Sequence, residues 1–186
     1  MAQADESTDH PGRRAPTAAE ARALGHPTRL RIVFACRERA RTNKELAQLT
    51  GTTPGTIHYH LRALVEEGFL VAEEPRPGPR GSREQPYRAT GKTWEVGGTP
   101  STGQALRQVA TEELLAAADD DVFGLSRLGL TLPRDELERF SARLQELLDE
   151  TKARSQQLLD AADPARDDLE SVTVLLAVHR QLPPTG

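Results

Sequence analysis

The chain of 186 residues has one cysteine, Cys36. A lone thiol builds no disulfide framework, which fits a reducing cytoplasm. It also excludes an intrachain pair of thiolates for a soft metal ion. Aromatic side chains make up 4% of the residues, too few to build a stacking platform for single-stranded bases. No apolar run approaches the ~18–20 residues needed to span a bilayer, and the longest candidate is Val172 to Val178. Residues 1–16 are polar, contain Pro11 and Pro16 and lack an apolar signal core, so they read as a disordered tail. There is no Gly-rich phosphate loop, no G-x-S-x-G elbow and no H-E-x-x-H helix, so nothing points to an enzyme, a catalytic residue or a cofactor.

What the chain does have is concentrated in residues 42–68, TNKELAQLTGTTPGTIHYHLRALVEEG. Thr42 and Glu45 have capping-box spacing and can start a helix. Gly51 tolerates the left-handed backbone of a tight turn. Thr53 can cap a second helix, with Pro54 at its first position and Gly68 at its end. Two short helices joined by such a turn place the second in a DNA major groove. At about 100° per residue, Ile57, Leu61 and Leu64 fall on one side of that second helix. Gly55, Tyr59, Arg62 and Glu66 fall opposite, flanked by Thr56 and His58. An ordinary amphipathic surface helix would show the same two faces.

The next residues separate the two readings. Residues 69–74, FLVAEE, read as a strand and Pro86 to Thr90 as its return, around a Pro- and Gly-rich loop carrying Arg76, Arg80 and Arg83. A hairpin placed there is a wing, whose arginines can reach phosphates or the minor groove. Charge follows the same division. Residues 20–92 hold 13 Lys+Arg against 8 Asp+Glu, whereas residues 93–186 hold 9 against 17. The overall charge of −4 therefore hides a basic half that coincides with the helix-turn-helix and wing.

Leu24-Gly25-His26-Pro27-Thr28-Arg29, then Arg31-Ile32, and later His60-Leu61, Leu64 and Gly68 resemble the ArsR-type winged-helix repressors of bacteria over about residues 17–92. The resemblance implies a homodimeric, operator-binding repressor released by an effector. The sequence departs from metal-sensing members: Asn43 to Leu49 contains no cysteine. His58 and His60 stand about 200° apart on a helix and cannot share one ion, so no metal site is expected.

Residues 17–41 should form one or two helices, with Leu30, Val33 and Phe34 as an apolar stripe. Cys36 should be buried for packing. Trp94 reads as a core anchor, and Gly97-Gly98-Thr99-Pro100 as a hinge between halves. Residues 101–118 read as a helix with Leu106, Val109, Ala110, Leu114 and Ala117 on one side. Residues 133–161 read as a long helix with a heptad seam of Leu137, Phe140, Leu144, Leu147, Thr151, Arg154 and Leu158. That seam fits a helix packed on its own domain or a dimer helix, with the 101–118 helix as competing interface. Leu125 to Leu132 and Ser171 to Arg180 have strand-like content, and Asp119-Asp120-Asp121 reads as a solvated turn.

The expected fold class is α+β, mainly α. A disordered tail (1–16) precedes a winged helix-turn-helix domain (17–96) and a small helical or α+β domain for dimerisation or an effector (97–186). The expected partners are double-stranded DNA, a second copy and a candidate small-molecule effector, with no membrane. The expected DNA-binding residues are Thr42, Asn43, Thr53, Thr56, His58, Tyr59, Arg62, Arg76, Arg80 and Arg83. Leu137, Phe140, Leu144, Leu147 and Leu158 are the expected dimer seam. The alternative is a winged helix used for protein contacts without specific DNA binding.

Overall fold

The computed structural model describes residues 13–78, 81–118, 122, 128–161 and 170–177. Arg80, Asp119-Asp120-Asp121, most of the tail and parts of both C-terminal strand candidates lie outside them. The chain divides into two units between Ala117 and Ala118.

In the first unit, local chemistry sets each helix start. Thr17 and Glu20 form a capping box that opens α1 (Ala18–Leu24). His26 caps α2 (Pro27–Glu38), its Nδ1 accepting from the Thr28 amide at 3.2 Å. Arg29 reaches back over the corner and donates to the carbonyls of Ala23 and Arg22, each at 2.5 Å. The Pro-x-Arg of the sequence motif is therefore a brace that satisfies carbonyls at the end of α1.

β1 (Arg41–Thr42) leads directly into α3 (Asn43–Thr50). Gly51 adopts φ 64°, the left-handed turn expected there, and α4 (Pro54–Glu66) follows from the Thr53 cap. α4 ends at Gly68, φ 70°, with Phe69 N donating to Leu64 O and Gly68 N to Val65 O, a Schellman closure. β2 (Leu70–Ala72) pairs antiparallel with β5 (Pro86–Ala89), Leu70 opposite Ala89. A second small hairpin, β3 (Arg76–Pro77) with β4 (Arg83–Glu84), extends the wing. β5 also pairs with β1, so the sheet order is β1-β5-β2, a pairing the sequence did not announce.

The core gathers Leu24, Leu30, Ile32, Val33, Leu46, Ile57, Leu61, Leu64, Phe69 and Leu70. Fully burying each large side chain stabilises by about 1.5–3 kcal/mol. Cys36 is also fully buried, and burial pushes its thiol up to about 12.

Five expectations need correction here. Residues 13–16 are not a loose tail: Arg14 N donates to Glu95 O and Arg14 O accepts from Gly97 N, laying the arm beside Val96. Trp94 ends a short 3-10 helix (Lys92–Trp94) only half-buried, with the Arg13 guanidinium 4.3 Å from its ring centroid; Val96 is the buried anchor. Gly97 to Pro100 is no boundary either. Thr99 caps α5 (Pro100–Ala116), which packs Ala105 and Val109 into the core and touches α1 and α2. The buried face is thus rotated from the expected one, leaving Leu106 and Leu114 exposed. Last, the described parts of the two strand candidates, residues 128–132 and 171–177, form no ladder pairs among the described residues.

The second unit is built on α6 (Arg134–Asp160), close to the expected bounds. Leu137, Phe140 and Leu147 are exposed along it, and Leu144 and Leu158 half-buried. No described helix is long and apolar enough to cross a membrane.

Candidate nucleic-acid interface

α4 presents two chemically distinct faces. Ile57, Leu61 and Leu64 are sealed in the core, held there by α2, α3 and β2. Thr53, Thr56, His58, Tyr59 and Arg62 are all exposed, Tyr59 at 67%. The flank expected to meet DNA is therefore open in the folded chain. Thr53 and Thr56 are partly committed at the helix start: Thr53 Oγ1 accepts from Thr56 N at 3.2 Å, and the two hydroxyls lie 2.9 Å apart. This leaves His58, Tyr59 and Arg62, within about one turn of the exposed side, as the long side chains projecting from it.

His60 points the other way. It is buried, its ring centroid lies 4.6 Å from that of His26, and its Nδ1 has no hydrogen-bond partner. Burial, with the neighbouring His26 and Arg29, pushes its pKa down to about 4. Burial also lowers His26. His58 and His60 therefore lie on different sides of α4. Among the described residues no group of three or more His, Cys, Asp or Glu could hold a metal ion.

An open concavity of about 410 Å³ lies where the starts of α3 and α4 meet the wing. Thr42, Asn43, His58 and Arg83 line it together, so the fold brings these four predicted residues to one place. Lys44 and Tyr87 line it too and were missed. Lys44 was findable: a cation in the first turn of α3 beside Asn43 is a plain signal. Tyr87 was not, because its position depends on how β5 pairs.

Two predicted residues have other work. Thr42 is buried and its hydroxyl accepts from Glu45 N at 3.3 Å, closing the capping box. Arg76 donates to the Glu45 carboxylate at 3.1 and 3.2 Å and ties the wing to α3. The same carboxylate accepts from Thr42 N at 2.6 Å and lies 3.7 Å from Arg39. Glu45 is held below the usual carboxylate range, first by the Thr42 amide. Arg76 and Arg83 are both exposed wing arginines among the described residues, and Arg80 lies outside them.

The profile of a protein family described as a helix-turn-helix domain matches residues 24–73. No curated protein matches the chain. Similar solved structures include the homodimeric winged helix-turn-helix DNA-binding domain of Mb0332 from Mycobacterium bovis, described as a possible ArsR-family transcriptional regulator. It is 28% identical, with 53% of this chain and 80% of that one covered, at a TM-score of 0.35. The transcriptional repressor BigR from Xylella fastidiosa is 21% identical, with 52% and 83% covered, at a TM-score of 0.34. The adhesin competence repressor AdcR from Streptococcus pyogenes is 14% identical, with 70% and 80% covered, at 0.34. The chain's own geometry, with α3, the Gly51 turn and α4 followed by the β2–β5 pair, is that of a winged helix-turn-helix.

Proposed function

We propose that the chain is a sequence-specific, double-stranded-DNA-binding regulator of transcription of the ArsR type, a repressor acting in the cytoplasm as a homodimer on an inverted repeat. The observation that carries this reading is the division of α4: a sealed apolar stripe behind, an exposed His58-Tyr59-Arg62 face in front. A helix so mounted can enter a major groove while the wing reaches the flanking backbone. Arg62 is the candidate for a bidentate contact to guanine. Arg83, Asn43 and Lys44 suit phosphate contacts around the concavity.

Two copies reading a palindrome would stand about 34–36 Å apart. The exposed stripe of α6 and the exposed Leu106 and Leu114 of α5 are the two candidate seams. The second unit, with α6 at its centre, serves dimerisation and is the place for a small-molecule effector that releases the operator.

Selection of bound duplexes from a random library tests the reading directly. A two-fold-symmetric consensus is expected, with affinity falling steeply in salt, by about 0.9 log units per log salt for each phosphate contact. If no sequence is enriched and no saturable complex forms, the winged helix is a protein-contact module instead.

A further inference from the structure

The end of α4 is held by an ionic arrangement that DNA contact does not require. Three successive carbonyls, at Glu67, Gly68 and Phe69, accept hydrogen bonds from residues 90–92. Lys92 Nζ donates to Glu67 O at 2.5 Å, Thr90 Oγ1 to Gly68 O at 2.8 Å, and Thr90 N to Phe69 O at 3.1 Å. The stem of Lys92 lies over Gly68, and its ammonium is 5.1 Å from the centroid of the buried Phe69 ring.

The same ammonium lies 2.7 Å from Glu20 Oε1. Glu20 is a carboxylate only 3% exposed, on α1. Its two oxygens also accept from Arg14, at 2.6 and 2.8 Å, and from Thr17 N at 2.8 Å. A charge buried this deeply is tolerable because each oxygen has two donors. These bonds, Arg14 foremost and then Lys92, hold the carboxyl well below the usual range, so it stays ionised.

Resting on the DNA-binding reading above, we infer that Lys92 is a positioning residue for DNA recognition: its ammonium couples the buried Glu20 of α1 to the carbonyl of Glu67, the residue that caps the end of α4, and sets the recognition helix's angle to the body. The physical reason is leverage. α4 is about 20 Å long by its 1.5 Å rise per residue, so a small tilt at its C-terminal end displaces His58 and Tyr59 near the other end. Base contacts demand placement within about 0.5 Å, whereas phosphate contacts through flexible side chains are more tolerant. The latch should therefore govern specificity more than general affinity.

The test uses the full chain, the duplex selected from the random library and a random duplex of equal length. Lys92→Met should bind the selected duplex about tenfold more weakly and the random duplex within about twofold of wild type. Its salt slope should be unchanged, because Lys92 makes no phosphate contact, and Lys92→Arg should restore most of the loss. Equal loss on both duplexes with a slope reduced by about one would make Lys92 a phosphate contact and overturn the inference. Unchanged binding on both would overturn it too. Should Lys92→Met fail to fold, Lys92→Gln undergoes the same comparison with the same expected direction, and parity with wild type overturns the inference. If wild type selects no sequence, the DNA reading fails but the latch remains measurable by hydrogen exchange. The amides of Glu67 to Phe69 should then exchange about tenfold faster in the variant while those of α3 hold. Equal rates would remove the latch.

Discussion

The apolar stripe of α4 (Ile57, Leu61, Leu64) and that of α6 (Leu137, Phe140, Leu144, Leu147) obey the same three- and four-residue spacing. The first is sealed to at most 1% exposure; the second leaves Leu147 at 58%. A one-sided helix states that one face wants cover, and the pattern is silent on who supplies it. For α4 the cover arrives from within the chain, through α2, α3 and β2. For α6 the single copy leaves Leu137, Phe140 and Leu147 exposed and Leu144 half-buried, so cover by a second copy is the proposal that answers it.

The contrast can be broken first at Leu61. Leu61→Ala should cost about 2–5 kcal/mol, read as a fall in the denaturant midpoint, because the site is enclosed on all sides. A loss under about 0.5 kcal/mol would mean that α4 is not anchored as described.

Acidity probes the same anchored face. His60 is neutral when folded, with its pKa at about 4, whereas an unfolded histidine titrates near 6.5. The unfolded chain therefore binds the proton more readily. The stability due to this group is complete above about pH 6.5 and disappears as pH falls toward 4, a loss on the order of 1–3 kcal/mol. Melting curves across that window should slope for wild type and flatten for His60→Leu. Identical slopes in the two proteins would remove His60 as the cause.

On the outer face, Arg62→Ala should weaken the selected duplex by about 1–3 kcal/mol and relax one base pair of the consensus. Equal weakening on random DNA would demote Arg62 to a phosphate clamp. The smallest effect on folding is expected in α6. Leu147→Asp should leave the melting of the first unit within about 0.5 kcal/mol of wild type. Sedimentation at micromolar concentration should nevertheless report monomer if α6 is the seam. A folded variant that stays dimeric would move the interface to Leu106 and Leu114 of α5.

What the sequence disclosed and what it withheld follow one line. The Thr42–Glu45 box, the Gly51 turn, Pro54 and the Gly68 ending were legible because each is decided within about four residues. The exposed flank from Thr56 to Arg62 was legible for the same reason, since helical period alone sorts it from Ile57 and Leu61. The ion pair of Arg76 was not legible because its partner, Glu45, lies 31 positions away. Thr42 looked available until β1 paired with β5 and buried it. The face of α5 turned because α1 and α2, not its own pattern, chose Ala105 over Leu106. Each error came from contacts made by chain returning through space.

The three-stranded sheet carries a consequence for how this domain can vary. β5 zips to β1, where the chain enters the helix-turn-helix, and to β2, where it leaves. β3 and β4 form a separate pair in the wing, closed by Gly78 N donating to Ser82 O at 2.7 Å. Lengthening the chain there costs little, since doubling a loop adds only about 0.6 kcal/mol of closure entropy. Diversity in the wing's length can accumulate at that tip while the three-stranded sheet and the helices it ties together stay as they are.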